Sequence, residues 1–191
     1  MSVTSRFKKI LTWTIMSTAV VTMLTLPTAM GSEDSQFGFK AIKQQEAKVA
    51  RQLTCLARNV FYEAGSEPLK GQMAVAQVTI NRAKSGLFPH DLCAVVAQTT
   101  VVEGDKICQF SWYCDNRVNK NRIIDKNNPS YIAAKRVFLD GQKVANIDHD
   151  VMWFHAADVK INPRWPHKIA TQIGANTVIL IELIGHKPLA V

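Results

Sequence analysis

CLARNVFYEAGSEPLKGQMAVAQVTINRA, residues Cys55 to Ala83, reads as a helix, a tight Gly-Ser-Glu-Pro break and a second helix. In the first helix Leu53, Leu56, Ala57, Val60, Phe61 and Ala64 recur at the spacing of one buried face. Glu63 falls roughly 90° from the centre of that face, at about 100° of rotation per residue. Its backbone therefore belongs to the core wall while its carboxyl can reach a cleft. Partial desolvation there disfavours the charged form and brings the pKa toward neutrality, as a proton donor at neutral pH requires. A glutamate at a helix end is more often simply solvated, and spacing alone does not decide between the two.

Beyond the break, Ser66 or Glu67 can cap the second helix, with Pro68 in its first turn. Capping is the better reading of Glu67, because a carboxylate there meets free amides and the positive end of the helix dipole. The second helix, about Leu69 to Lys84, buries Met73, Ala76, Ile80 and Ala83 and braces the first. Upstream, Ser32 to Lys40 is polar and reads as a linker, and Ala41 to Gln52 leads into the first helix.

The amino terminus is of a different character. Arg6, Lys8 and Lys9 precede an apolar run from Ile10 to Leu26 and the small-residue stretch Pro27 to Gly31. This reads as an export signal, cleaved after Ala29 or Gly31, or retained as an anchor. The threonines and serines in the run make it a lukewarm membrane span. The domain plan is a signal peptide or anchor over 1–31, a linker over 32–44 and a globular domain over 45–191. The body then lies outside the cytoplasm, in the periplasm or cell envelope, and membrane contact is limited to that anchor.

The 191 residues carry a net charge of +8, and losing residues 1–31 removes three basic residues and no acidic ones. An exported basic body suits an anionic polymer. Nucleic acid is a poor fit, since no basic stripe interleaved with aromatics is present.

Downstream, Asp91 caps a short helix holding Cys93, Val95 and Val96, and Pro129-Ser130 opens a helix from about Tyr131 to Asp140. Ile107 to Cys114 alternates like a strand, with Cys108, Phe110, Trp112 and Cys114 on one face and Gln109, Ser111 and Tyr113 on the other. Val151 to His155 reads as another strand. The face that carries Gln109 and Ser111 is open to a polar substrate. Trp112 is either core or a stacking platform, core being the better fit. The four cysteines, Cys55, Cys93, Cys108 and Cys114, suit two disulfides in an exported chain. On an extended strand Cys108 and Cys114 stand roughly 20 Å apart, so each would pair with Cys55 or Cys93 unless the chain turns sharply after Trp112. His149, Asp150 and His155 lack metal-ligand spacing and no H-E-x-x-H helix occurs, so no metal and no other cofactor is expected.

Three ordered blocks add a resemblance. Phe61-Tyr62-Glu63-Ala64-Gly65-Ser66-Glu67-Pro68 with Gly71-Gln72, Ala74-Val75-Ala76 and Asn81-Arg82 is the first; Cys108-Gln109-Phe110-Ser111-Trp112-Tyr113-Cys114-Asp115 is the second. Phe154-His155-Ala156 with Asn162-Pro163-Arg164-Trp165 is the third. Together they resemble the cell wall hydrolase family typified by the spore-cortex-lytic enzymes SleB and CwlJ. The chain departs from it at Gly65-Ser66, where relatives commonly have Arg-Gly, and after Trp165, where either Ile173-Gly174 or Ile184-Gly185-His186 could match the family's close.

The resemblance implies a lysozyme-like α+β fold, mostly helical with a small β element, and a monomer acting on peptidoglycan glycan strands. It implies Glu63 as general acid in a catalytic domain, with Gln109 and Ser111 hydrogen-bonding sugar hydroxyls or the N-acetyl group, Trp112 as core or a sugar-stacking platform, and His155 orienting substrate or supporting the site. With one convincing carboxylate, it favours the lytic transglycosylase route at the β-1,4 bond between N-acetylmuramic acid and N-acetylglucosamine. Lysozyme-type hydrolysis, amidase action on the peptide stem and non-catalytic wall binding are the alternatives.

Overall fold

The structure, a computed structural model, describes residues 33–156, 168–173 and 178–182. The expected export segment and the Asn162-Pro163-Arg164-Trp165 block lie outside the described residues. Two units divide the chain, Met1–Phe39 and Lys40–Val191. Among the described residues the first unit holds only the start of the first helix, and every other element belongs to the second.

The elements in order are α1 (Glu33–Ala64), α2 (Leu69–Lys84), α3 (Leu92–Val96), β1 (Thr99–Val102), β2 (Asp105–Cys108), α4 (Ser111–Cys114), α5 (Pro129–Phe138), β3 (Val151–Ala156), β4 (Lys168–Ile173) and β5 (Val178–Glu182). β1 and β2 form an antiparallel hairpin, and β3, β5 and β4 form a three-stranded antiparallel sheet in that spatial order. The fold is α+β and mostly helical, as the sequence implies. No described helix is long and apolar enough to cross a membrane.

α1 buries Leu53, Leu56, Ala57, Val60 and Ala64 of the anticipated stripe in the core, while Phe61 is only half-buried against it. The stretch read as a linker over 32–44 is instead helical from Glu33 on. Its Lys, Gln, Glu and Ala residues are strong helix formers, so α1 runs on as an exposed helix over 38–48.

α2 is more than a brace. Every residue from Gly71 to Ala83 is buried, so this helix, and not the first, is the axis of the fold. A helix enclosed on all sides must satisfy its polar side chains internally, and here they hold the chain that wraps it. Gln77 Oε1 accepts from the Val144 amide at 2.8 Å, and Asn81 Nδ2 donates to the carbonyls of Asp148 and Val151 at 2.7 and 2.9 Å. Arg82 Nε donates to the Met152 carbonyl at 2.7 Å, and Ser130 Oγ at the start of α5 donates to Gln72 Oε1 at 2.8 Å. Four polar residues of α2 thus position β3, its lead-in and α5.

The cap expected at Ser66 or Glu67 is not made. Pro68 itself is the N-cap residue of α2, with no side-chain cap bond. Glu67 turns inward instead, its Oε2 buried without a partner among the described residues and packed beside Gly71. At Asp91 the expected cap is present, its carboxylate accepting from the Ala94 amide at 3.1 Å.

The strand expected over 107–114 ends at Cys108. β2 pairs with β1 from Asp105 to Cys108, across a turn whose Glu103 and Gly104 both have positive φ. The Gln109 amide then donates to the Gln98 carbonyl, and Ser111–Cys114 forms one helical turn. The in-and-out alternation survives, with Phe110 and Trp112 buried and Ser111 exposed, but the extended geometry does not. The sharp turn comes before Trp112 and brings the Cα atoms of Cys108 and Cys114 to 5.7 Å. These two form one disulfide, and Cys55 with Cys93 forms the other.

Gly65 ends α1 where the chain passes against its own preceding turn. A Cβ there would run into the Phe61 carbonyl oxygen, which is backbone and cannot move aside. Gly65→Ala is therefore expected to destabilise the protein by about 2 kcal/mol and to lower the melting temperature by about 6 °C; an unchanged thermal melt would contradict this. An arginine at this position would meet the same contact.

Candidate active site

Glu63 stands in the last turn of α1, and the site is built where that turn meets α2. Asn59, one turn earlier on the same face, is wholly buried. Its Nδ2 donates to Thr79 Oγ1 at 3.1 Å, and its Oδ1 accepts from Trp112 Nε1 at 2.9 Å. One buried amide thus ties α1, α2 and α4 together. Glu63 stands one turn from Asn59 on α1 and Arg82 one turn from Thr79 on α2, so each lies within a turn of the Asn59–Thr79 bond.

Arg82 is 4% exposed. Its guanidinium carbon lies 5.0 Å from the ring centroid of Phe110 and 5.4 Å from that of Phe88, and Nη1 is buried without a partner among the described residues. Burial lowers its pKa to about 10, opposed by the neighbouring Glu63 charge. Glu63 is partly buried, and desolvation raises its pKa from 4.5 to about 7, while the Arg82 charge pulls it back down. The dominant cause at both groups is the removal of water. The result is a carboxyl that can hold or release a proton at neutral pH.

The other expected site residues lie on or next to α4 and on β3. Tyr62 stacks on Trp112 with ring centroids 4.7 Å apart, and its hydroxyl donates to the Asn119 carbonyl at 3.0 Å. Trp112 is 7% exposed, with its indole nitrogen committed to Asn59. That is the core placement, and it leaves no open ring face for a sugar. Ser111 is exposed and Gln109 half-buried beside it. The backbone of His155 pairs with Ile179 in the three-stranded sheet; its side chain lies outside the described residues. Asp115 is held by Arg117 in a two-pronged exposed pair, with Oδ2 2.8 Å from Nη2, and the Arg117 hydrogen bond lowers its pKa to about 2. It is an ionised surface carboxylate.

Sequence reasoning passed over Asn59 and the buried state of Arg82. The signal for Asn59 was present, an amide inside an otherwise apolar helical face four residues before the acid. A cavity of about 970 Å³ lies elsewhere, between α1 around Val49 and Leu53, the Ile123–Asn127 loop and α5; neither Glu63 nor Arg82 lines it. Among the described residues no three His, Cys, Asp or Glu side chains gather as a metal site.

A curated relative, the spore cortex-lytic enzyme of Bacillus subtilis (strain 168), is 35% identical over 77 residues. That match covers 38% of this chain and 24% of the relative, so the chain corresponds to about a quarter of that protein's length. No solved structure matches. The family model described as Cell Wall Hydrolase matches residues 66–178. The matched segment opens three residues after Glu63 and contains the whole of α2, Arg82, both strands of the hairpin and Trp112. Spanning more than half of its length, that match shows that the chain belongs to the cell wall hydrolase family.

Proposed function

We propose that this protein cleaves the β-1,4 bond between N-acetylmuramic acid and N-acetylglucosamine in peptidoglycan, as a lytic transglycosylase with Glu63 as its general acid and base. The observation that carries the reading is the desolvated Glu63 carboxyl with its pKa near 7, on the helix that leads into the family segment.

In this reaction protonated Glu63 gives its proton to the glycosidic oxygen as the C1–O bond of the muramoyl residue breaks. The sugar's own 6-hydroxyl oxygen then bonds to C1 and passes its proton to the Glu63 carboxylate. The acid is restored, no water is consumed, and the product ends in a 1,6-anhydromuramoyl unit. One carboxylate suffices, whereas glycoside hydrolysis by water ordinarily uses two. Asp115 is a poor second, being ionised and clasped by Arg117. Glu67 favours the hydrolytic alternative through one observation, its inward-turned, unpartnered Oε2.

Mass spectrometry of muropeptides released from purified sacculi tests the assignment. Anhydromuramoyl ends are the expected product; reducing ends would transfer the reaction to hydrolysis and Glu67 to the second carboxylate. Gln109 and Ser111 are proposed to contact the glycan, and His155 to orient substrate or support the site. The compartment proposed is the cell envelope, which agrees with the pairing of all four cysteines.

The pH dependence follows from the same group. As a proton donor Glu63 must enter the reaction neutral, so activity is present below its pKa and lost above it. The initial rate of sacculus lysis at limiting substrate is expected to fall about tenfold per pH unit above about pH 7. A rate that holds level from pH 7 to 9 would exclude Glu63 as the donor.

A further inference from the structure

Buried arginines are costly unless every face of the guanidinium is used. Arg82 has its Nε on the Met152 carbonyl and aromatic rings over its plane, yet leaves Nη1 enclosed and without a hydrogen-bond partner among the described residues. A methionine or leucine would fill the same slot between Phe88 and Phe110 without that deficit. Among the described residues the side chain is held still, and no carboxylate forms an ion pair with it.

Other charges stand on the elements around Glu63. Arg58 on α1 donates to the Arg122 carbonyl, Arg122 lies over Phe61, and Asp115 is taken by Arg117. Lys70 is exposed, Lys120 is partly exposed, and Glu67 faces Gly71 at the start of α2. Of these and Arg82, only Arg82 is fully enclosed, where a charge acts through few intervening water molecules.

We infer that Arg82 is a positioning residue for the reaction: its buried guanidinium, locked on β3 and between two phenyl rings, is the fixed positive charge against which the Glu63 carboxyl releases and regains its proton. The inference rests on the reading of Glu63 as the acid. Donating the proton leaves a carboxylate in a dry site, and a preorganised cation beside it stabilises that charge without reorganisation. Arg82 thereby offsets the desolvation that makes Glu63 a strong proton holder, so that the group can serve both as acid and as base.

The test uses the full chain, with Arg82→Gln to remove the charge and keep an amide for the Met152 carbonyl, and Arg82→Lys to keep the charge. Near-UV circular dichroism reports on folding, sacculus lysis gives the rate across pH 5 to 10, and the ¹³C shift of labelled glutamate carboxyls gives the Glu63 titration without substrate. In Arg82→Gln the alkaline limb of the rate and the Glu63 titration are expected to move up together by about one pH unit or more, with the rate at pH 6 down at least about tenfold. In Arg82→Lys both are expected to stay within about half a pH unit of wild type. A folded Arg82→Gln protein whose limb and titration do not move would overturn the inference. Should Arg82→Gln fail to fold, an Arg82→Lys titration displaced upward as far as a pH unit would overturn it equally. A Glu63→Gln protein that lyses sacculi normally would instead remove the underlying reading of Glu63, so the two failures are told apart.

Discussion

Glu63→Gln is expected to lower sacculus cleavage by a factor between about a hundred and ten thousand, the range that a positioned general acid contributes. Glutamine keeps the shape and the hydrogen-bonding reach of the side chain but holds no transferable proton. The surface around α4 proposed to contact the glycan stays intact, so the loss should fall on turnover and leave sacculus binding unchanged. Wild-type activity in the variant would remove Glu63 from the mechanism. A second consequence runs in the opposite direction. The folded-state pKa of Glu63 lies near 7, above its ordinary 4.5, so the folded protein holds the proton more tightly than the unfolded chain. Stability therefore falls as pH rises from about 4.5 to about 7, by on the order of 3 kcal/mol at most. Glutamine does not titrate and escapes this loss. The inactive variant should be the more stable protein at pH 8, and the difference should vanish below about pH 4.5. Loss of function with gain of stability separates a residue kept for chemistry from one kept for packing.

That signature bears on how much of the molecule could be read from its residues. The apolar stripe of α1 and the edge position of Glu63 are local properties, set by 3.6-residue periodicity, and both were legible. So was the Asp91 cap, which needs only residues within one turn. What stayed hidden depends on contacts distant in sequence. Gln72, Gln77, Asn81 and Arg82 made α2 look half-solvated, because their partners near residues 130 and 144–152 come from elsewhere in the chain. The stretch Ile107 to Cys114 misled for another reason. A two-residue alternation of buried and exposed positions is shared by a strand and by a strand ending in a single helical turn, and pattern alone does not separate them. The Glu103-Gly104 turn, with both φ values positive, was the overlooked sign of the hairpin. Once the chain turns there, Cys108 is committed to the ladder, and the nearest thiol is Cys114.

The two disulfides should differ in what their removal costs. In the chain-entropy account a cross-link stabilises by restricting the unfolded chain, more so for a longer loop. Cys55–Cys93 closes a separation of 38 residues and Cys108–Cys114 a separation of 6. The expected losses are about 4 kcal/mol for the Cys55→Ala, Cys93→Ala protein and about 2 kcal/mol for the Cys108→Ala, Cys114→Ala protein. Thermal melting should show these as drops of about 12 °C and about 6 °C. Activity should rank them the other way when measured well below either transition. Without the first bridge, α3 is still held to α1 by the Arg51–Asp91 ion pair and by the Leu92 amide on Gln52 Oε1, so Glu63 keeps its setting. Without the second, Trp112 still anchors α4 through Asn59, but Gln109 and Ser111 lie inside the opened loop. Their freedom would weaken any grip on the glycan and raise KM while leaving the titration of Glu63 in place. A larger stability loss from the short loop than from the long one would show that the Cys108–Cys114 bridge holds the fold itself, and the placement of Gln109 and Ser111 would then be secondary to it.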